Sequence, residues 1–194
     1  MLQPKTRPAT YADIEALPPH VVGEILFGVL QTHRHPVRGS FSRGALQAEL
    51  MGFFGRARGS PRGWAFIGGT TLHLGPHVAV PDIAGWKRKR LTPFPTTAFI
   101  ATPPDWLCEM LSPPTRKVDR TDKLTVYATF GVGHCWYVDP IARTLGVLAL
   151  TDGKWLLAAA FRDSDPVTAP PFEAHTFPLD VLWVPEDEAP ESEA

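Results

Sequence analysis

The sequence lacks most features that mark a membrane, secreted or zinc-binding protein. It has only two cysteines in 194 residues, and Cys108 and Cys135 do not have the spacing of a zinc motif. No apolar run approaches the roughly 20 residues of a membrane-spanning helix, and the N-terminus lacks the apolar core of a signal peptide. These absences predict a cytoplasmic protein, without a membrane partner, whose thiols are buried and reduced. A disulfide between neighbouring strands is the alternative.

Two common catalytic loops are also missing. No Gly-x-Ser-x-Gly elbow supports serine-based hydrolysis, and no glycine-rich loop followed by Lys-Ser or Lys-Thr supports nucleotide binding. A histidine metal site is disfavoured, because His33 and His35 precede Pro36 in a segment predicted as a loop. The candidate chemistry therefore depends on carboxylates and amines.

Composition and charge indicate one globular domain. Hydrophobic residues make up 44% and charged residues 20% of the chain, as in folded proteins of this size. We predict a single domain over residues 1–185 and a disordered acidic tail over residues 186–194. The tail holds five of the 20 acids. The remainder has 19 basic and 15 acidic residues, a balance that permits a polyanionic substrate.

Hydrophobic periodicity predicts two main helices. Four apolar residues between positions 46 and 54 form one stripe on a helix over about residues 43–58, with Ser42 as its N-cap. A second helix is predicted over about residues 119–130, before glycines that end it. Lys123 lies on this second helix, and the pattern leaves open whether its side chain points toward a sheet or into water.

Runs rich in β-branched and aromatic residues predict the strands. An N-terminal hairpin turns at Gly28, and a later hairpin spans Thr144 to Phe161. A third hairpin is predicted from Trp64–Ile67 and Thr70–Leu74, joined across two glycines. Since helices and strands are interspersed without a repeat or linker, we expect an α+β fold with a central mixed β-sheet flanked by helices.

Two apolar runs carry one carboxylate each, and these are the main functional candidates. Val78–Trp86 contains Asp82, and Trp106–Leu111 contains Glu109. A buried acid is unfavourable unless it binds a cation or meets donors, and carboxylates on adjacent strands are suitable Mg²⁺ ligands. The alternative is that both acids face solvent or cap turns. Glu24, alone among apolar neighbours, is either a third acid of this site or an edge-strand carboxylate.

Basic residues lie close in sequence to these acids. They are Lys87, Arg88, Lys89, Arg90, Arg116, Lys117 and Arg120. Loop residues of this kind are ordinarily solvated, but beside a metal site they would contact phosphates and make binding dependent on salt. We predict that they form a nucleic-acid-binding surface.

The wider context resembles a known family. The matching segments are Gly23–Gly28, Pro81-Asp82, Cys108–Thr115, Asp119-x-x-x-Lys123-x-x-x-Tyr127, Gly131-Val132 and Trp136–Pro140. Together, over about residues 10–182, they look like the PD-(D/E)XK nuclease superfamily, and especially its bacterial Uma-type branch of restriction-endonuclease-like proteins. The resemblance implies a restriction-endonuclease-like core that uses Mg²⁺ or Mn²⁺ to hydrolyse phosphodiester bonds of DNA.

The resemblance also implies roles for individual residues. Asp82 and Glu109 would be the metal ligands, with the carbonyl of Met110 as a further ligand. Glu24 would bind the metal or orient a water on it. Branch members are often homodimers, and the apolar hairpin from Thr144 to Phe161 is the expected interface.

One departure from the superfamily pattern affects the predicted activity. The superfamily lysine stands two residues after the second acid, where this chain has Leu111. The branch resemblance implies that Lys123 supplies the missing amine from the following helix. If Lys123 faced solvent, metal binding would survive without catalysis. The alternatives are therefore a degenerate nuclease fold that binds nucleic acid or a protein without cleavage, and a structural or self-associating module.

Overall fold

The computed structural model describes four ranges of the chain, residues 7–33, 37–55, 63–112 and 118–185. Within them the fold is α+β, as predicted. No helix in these ranges is both long enough and apolar enough to cross a membrane. The predicted acidic tail, and the predicted nucleic-acid-binding residues Arg116 and Lys117, lie outside the described residues.

Strands make up most of the regular structure. In chain order they are β1 (Val22–Leu26), β2 (Val29–His33), β3 (Trp64–Gly68), β4 (Leu72–Leu74), β5 (His77–Ala79), β6 (Ile83–Lys87), β7 (Trp106–Met110), β8 (His134–Asp139), β9 (Thr144–Thr151), β10 (Lys154–Arg162), β11 (Pro166–Val167) and β12 (Phe177–Pro178). The helices are α1 (Tyr11–Glu15), α2 (Val37–Phe54), a π-helical turn (Asp119–Lys123) that continues into α3 (Leu124–Thr129), and 3-10 helices at Arg88–Leu91 and Leu179–Leu182.

A six-stranded mixed sheet forms the centre of the fold, in the order β10-β9-β8-β7-β6-β3. Its strands β7 and β8 are parallel, and the helical crossover between them provides the long connection that parallel strands need. A four-stranded antiparallel sheet has the order β2-β1-β5-β4. Residues 80–82 connect β5 of the smaller sheet directly to β6 of the central one.

Two hydrophobic cores cover the two faces of the central sheet. The aromatic core packs against α2 and includes Phe54, Phe66, Trp106, Trp136 and Phe172. The second core includes residues of α3 and of the smaller sheet: Leu26, Leu72, Leu107, Val126 and Tyr127. Neighbouring residues of a strand point to opposite faces. Glu109, which lies between two residues of the aromatic core, therefore points into the second core.

Several predicted elements are confirmed. The β1–β2 hairpin turns at Phe27 and Gly28, which have φ values of 52° and 76°. The β9–β10 hairpin turns at Asp152 and Gly153, with φ values of 48° and 73°. Two successive positive φ angles are typical of the tight turns that match strand twist. The helix predicted over residues 119–130 is present as the π-helical turn followed by α3.

The predicted hairpin of Trp64–Ile67 and Thr70–Leu74 is wrong. Strand β3 pairs with β6 in the central sheet, whereas β4 pairs with β5 in the smaller sheet. The apolar run Val78–Trp86 is likewise two strands in different sheets, because Pro81 interrupts the ladder between them. Asp82 therefore lies just before β6 and not inside a strand.

The predicted start of the long helix is also wrong. Helix α2 begins at Val37 rather than near residue 43, and its described part ends at Phe54. Ser42 lies inside the helix, and its hydroxyl donates a hydrogen bond to the carbonyl oxygen of Leu182 at 2.7 Å. The Ser42 hydroxyl, which was predicted to cap the helix, therefore bonds instead to a residue that is distant in the sequence.

Candidate active site

The candidate site forms where the two sheets are connected, around residues 80–82. Glu24 on β1 accepts a hydrogen bond from the backbone N–H of Val80 at 2.7 Å. Asp82 accepts one from the backbone N–H of Met110 at 2.8 Å. Pairing between β6 and β7 ends before Met110, so the Asp82 carboxylate takes the place of a ladder bond. The two acids tie this connection to β1 and β7.

A buried lysine joins two of the acids. Lys123 Nζ lies 2.9 Å from Glu24 Oε1 and 3.2 Å from Glu109 Oε1, and its side chain is only 2% exposed. The residue ends the π-helical turn, and widened turns of this kind are frequent at functional sites. Of the two orientations that the sequence left open, Lys123 therefore has the one that points toward the sheet.

Tyr127 gives Glu109 a second partner from the same helical segment. Its hydroxyl donates a hydrogen bond to Glu109 Oε1 at 2.7 Å. Residues four apart share a helix face, so Lys123 and Tyr127 approach the acid together. Burial first, and then the negative charges of Glu109 and Glu24, raise the pKa of Tyr127 well above its ordinary value. The phenol consequently remains a protonated donor that orients Glu109.

The site has a buried end and a more open end. The side chains of Glu24 and Glu109 are 2% exposed, whereas that of Asp82 is 15% exposed. The Arg43 guanidinium of α2 lies 3.8 Å from Asp82 Oδ1. At the Glu24 end, His33 Nδ1 lies 3.7 Å from Glu24 Oε2. Asp82 is therefore the most solvent-accessible of the three acids.

The two cysteines take no part in this chemistry as nucleophiles. Cys108 and Cys135 are buried thiols that do not form the alternative disulfide, as predicted. Burial first, and then the negative charge of Asp82, raise the pKa of the Cys108 thiol well above its ordinary value. Since the reactive species is the thiolate, Cys108 is an inert member of the aromatic core.

The site contains oxygen donors, which are the type of atom that a hard divalent cation binds. Asp82, which accepts a hydrogen bond from the Met110 N–H, and Glu109, the residue before Met110, supply carboxylate oxygens, and oxygen ligands are those that Mg²⁺ and Mn²⁺ prefer. Within the ranges that the structure describes, no group of three His, Cys, Asp or Glu side chains converges as a metal cluster. Glu24 and Glu109 both contact Lys123. Asp82 and Glu109 stay the predicted side-chain ligands of an ion.

The similarity to known proteins extends over most of the chain. The family model of Uma2, described as putative restriction endonuclease, matches residues 16–181. The chain belongs to the Uma2 family. A putative nuclease belonging to DUF820 from Anabaena variabilis ATCC 29413 has a crystal structure that matches with a TM-score of 0.72 at 18% identity, covering 90% of this chain and 97% of that chain. At this identity the likeness shows the fold alone. No curated protein matches.

Membership of the Uma2 family confirms the resemblance and the restriction-endonuclease-like fold predicted from the sequence. The matched region contains Glu24, Asp82, Glu109 and Lys123. The structure places Lys123 in contact with Glu24 and Glu109, and it places Asp82 on the backbone of the residue after Glu109. Their catalytic roles stay predictions.

The predicted basic surface is divided in this Uma2-family fold. Lys87 ends β6, and Arg88, Lys89 and Arg90 follow it in an exposed 3-10 helix. Asp82 precedes the same strand, so at about 3.3 Å per residue the basic run begins roughly 17 Å away from it. Closeness in sequence therefore overstates closeness in space. Arg120, by contrast, lies in the turn that carries Lys123.

Sequence reasoning misses Arg43, and it names Tyr127 in the family motif without giving it a role. The four-residue spacing between Lys123 and Tyr127 is a usable signal, since it puts both side chains on one helix face. Arg43 gives no local signal, because its contact with Asp82 joins α2 to a distant connection. His33 is considered in the sequence only as a metal ligand and is found beside Glu24.

Proposed function

We propose that this protein is a divalent-metal-dependent endonuclease that hydrolyses phosphodiester bonds of DNA. The observation that carries the proposal is the buried contact of Lys123 with Glu24 and Glu109, beside Asp82. Burying two carboxylates and an ammonium together, with a third carboxylate nearby, opposes folding unless their partners are well placed. Local choices that work against stability are expected at functional sites.

Asp82 and Glu109 are the residues that would hold the Mg²⁺ or Mn²⁺ ion, with the Met110 carbonyl as a third donor. Such an ion, when bound, neutralises charge on a phosphate and lowers the pKa of its water. Asp82 is the more exposed of the two acids, so it is the first that an incoming ion meets. Its backbone hydrogen bond to Met110 keeps the carboxylate beside Glu109.

Lys123 supplies positive charge where negative charge develops on the phosphate. Leu111, at the usual lysine position, is apolar and buried, so the amine reaches the site from the helix side. Glu24 and Glu109 hold the amine, and Tyr127 holds Glu109. A charge fixed in this way needs little reorganisation during the reaction, which is the condition for strong electrostatic stabilisation.

The distribution of basic residues supports DNA as the substrate. The described part of the chain presents Lys87–Arg90 as an exposed run, which begins roughly 17 Å from Asp82 and in which Arg90 pairs with Asp105 at 2.8 Å. Arg120 lies in the turn that carries Lys123. Arg43 is 25% exposed at the open end, beside Asp82. Phosphate contacts from these groups would make DNA affinity fall steeply as the salt concentration rises.

A second candidate function is binding of nucleic acid or a protein without cleavage. It is favoured by the state of the carboxylates, because Asp82, Glu109 and Glu24 each already accept a donor or cation from the chain itself. An ion would compete with these partners. Leu111 in the usual lysine position favours the same reading.

Cleavage of supercoiled and linear duplex DNA with Mg²⁺ or Mn²⁺ distinguishes the two candidates. The variant Asp82→Asn removes the charge of one predicted ligand, and Asp180→Asn removes an exposed charge elsewhere as the control. We expect the wild-type and control proteins to cleave, and Asp82→Asn to lose about 100-fold or more in rate. Unchanged cleavage by Asp82→Asn would refute its role. DNA binding without cleavage under every metal would establish the second candidate.

A further inference from the structure

A cavity of about 570 Å³ lies on the central sheet beside the candidate active site. Its lining includes Leu111, which lies two residues after Glu109, and Leu124, which follows Lys123. It also includes Tyr137, which pairs with Glu109 across β7 and β8. Paired residues point to the same face of a sheet, so the cavity adjoins the acids. Its volume is in the range of small-ligand pockets.

The cavity has room because, from β8 across β9 to β10, one large side chain is followed by two small residues. Tyr137 pairs with Gly146, and Gly146 pairs with Ala160. A Cβ added at Gly146 would meet no heavy atom within 4 Å. In the next row Leu148 pairs with Leu157. The result is an apolar floor with an aromatic ring at one side and open space above the glycine.

Two arginines line the cavity above this floor. The Arg120 guanidinium lies 5.9 Å from the centre of the Tyr137 ring, and Arg162 stands on the edge strand β10. The Asp165 carboxylate, which also lines the cavity, accepts a hydrogen bond from the backbone N–H of Arg162 at 2.9 Å. Among the described residues, neither guanidinium forms an ion pair. The cavity thus combines an apolar, aromatic surface with positive charge that is available to an anion.

We propose that this cavity is a base pocket, which receives one unpaired nucleobase of a nucleic-acid strand while Arg120 and Arg162 contact its flanking phosphates. The inference rests on the proposed function, because it assigns the part of the substrate that lies next to the reacting phosphate. Apolar and aromatic surfaces accept the face of any base, and guanidinium groups bind phosphate oxygens in pairs. A fully paired duplex has no free base to fill the hollow unless one is flipped out.

The test measures DNA binding in EDTA, so that cleavage does not interfere. The probes are a fluorescein-labelled single strand of mixed sequence and the matching duplex, followed by anisotropy. Gly146→Val fills the hollow at a strand position where β-branched residues are favoured, and Arg162→Ala removes one of the lining charges. The matched controls are Thr151→Val at the exposed end of β9 and Lys154→Ala on β10, which lie outside the lining.

We expect Gly146→Val and Arg162→Ala to raise the Kd for the single strand at least about fivefold, the lower end of what loss of one stacked base produces. The controls should bind like wild-type protein, and Gly146→Val should affect duplex binding less. An unchanged single-strand Kd in Gly146→Val would overturn the base pocket. Equal weakening for both probes, or a wild-type protein that binds neither, would overturn it too.

Two further outcomes separate this inference from the proposed function. Single-strand binding that depends on Gly146, in a protein that never cleaves, supports the base pocket and contradicts the nuclease proposal. Cleavage that proceeds with unchanged affinity in Gly146→Val contradicts the base pocket alone. If sedimentation shows that Gly146→Val changes the oligomeric state while DNA binding is unaffected, the cavity belongs to an interface between copies and the inference fails.

Discussion

The two hydrophobic cores on either side of the central sheet are equally well buried, but only the second one encloses the buried charges of the candidate site. On one face, the centre of the Phe172 ring lies 5.2 Å from that of Trp106 and 5.5 Å from that of Trp136. On the other face, the side chains of Glu109 and Lys123 are buried to a similar degree, at 2% exposed each. Burial alone therefore does not separate residues that stabilise the fold from those proposed to carry its chemistry. The chemical nature of the buried group, apolar or charged, makes this distinction.

The comparison has an energetic side. Aromatic rings that pack edge to face stabilise the folded state beyond the area that they bury. Charges in the second core lose hydration, and their partners restore only part of that loss. If this division is correct, substitutions in the aromatic core should change stability alone. Substitutions around Glu109 should change activity as well.

The largest combined effect is expected for Lys123→Met. The variant keeps the side-chain length but leaves Glu24 and Glu109 without their cation, so the free energy of unfolding should fall by about 3–5 kcal/mol. The cleavage rate should fall by about 100- to 1,000-fold, as for loss of one fixed transition-state donor. Urea denaturation and a cleavage assay measure the two effects. Lys154→Met, on an exposed residue, is the control, and wild-type activity in Lys123→Met would remove Lys123 from the mechanism.

Phe172→Ala, in contrast, should lower the stability of the protein without lowering its activity. Removing this 2% exposed ring from the aromatic core should lower the free energy of unfolding by about 3–5 kcal/mol. Cleavage per folded molecule should stay at the wild-type level, because the ring lies on the face opposite Glu109. Calorimetry and cleavage measured well below the unfolding temperature give both quantities. A fall in cleavage per folded molecule would show that the two faces are coupled.

A smaller effect is expected for Tyr127→Phe, which removes only the hydroxyl bonded to Glu109. A hydrogen bond to a charged group contributes about 1.5–3 kcal/mol, so the free energy of unfolding should fall by that amount. Cleavage should slow, while DNA affinity in EDTA should not change, since the hydroxyl orients an acid and does not contact substrate. Tyr11→Phe on α1 is the matched control. Equal effects from both variants would mean that the phenol only stabilises the fold.

The difference between the cores also explains what could be predicted from the sequence. Turns such as Phe27–Gly28 depend on local backbone preferences, and the stripe on α2 depends on helical periodicity, so both are visible in short windows. The acids stood out because a lone carboxylate in an apolar run demands a partner. Lys123 was found through family resemblance, and periodicity alone left its direction open.

Contacts between segments that are far apart in the sequence could not be predicted from local sequence patterns. Strands β3 and β4 are adjacent in sequence and separated by glycines, so a hairpin was the simplest expectation, yet their partners lie in different sheets. The contact of Arg43 with Asp82 depends on how α2 docks. The basic run after β6 is displaced from Asp82 by the length of the strand. These errors concern which distant parts of the chain lie together in the fold. They do not concern whether a helix or strand is present.

The smallest expected effect concerns pH and a histidine next to the second core. His73 on β4 has a buried Nε2 without a hydrogen-bond partner among the described residues, and its ring stacks on Phe99 at 3.8 Å. Burial lowers the pKa of His73 below its ordinary value. The unfolded chain then binds more protons than the folded protein. Stability is therefore complete above the unfolded pKa of about 6.5 and falls as the pH drops toward the folded value.

The variant His73→Phe keeps the stacked ring and removes the titrating group. Urea midpoints at about pH 7.5 and about pH 5.5 should therefore differ less in His73→Phe than in the wild-type protein. His20→Gln, on an exposed residue, should behave like wild type. An identical pH response in His73→Phe would assign the effect to His77 or His134, whose pKa values burial also lowers. Phe172→Ala leaves His73 in place, so it should lower the urea midpoint at both pH values.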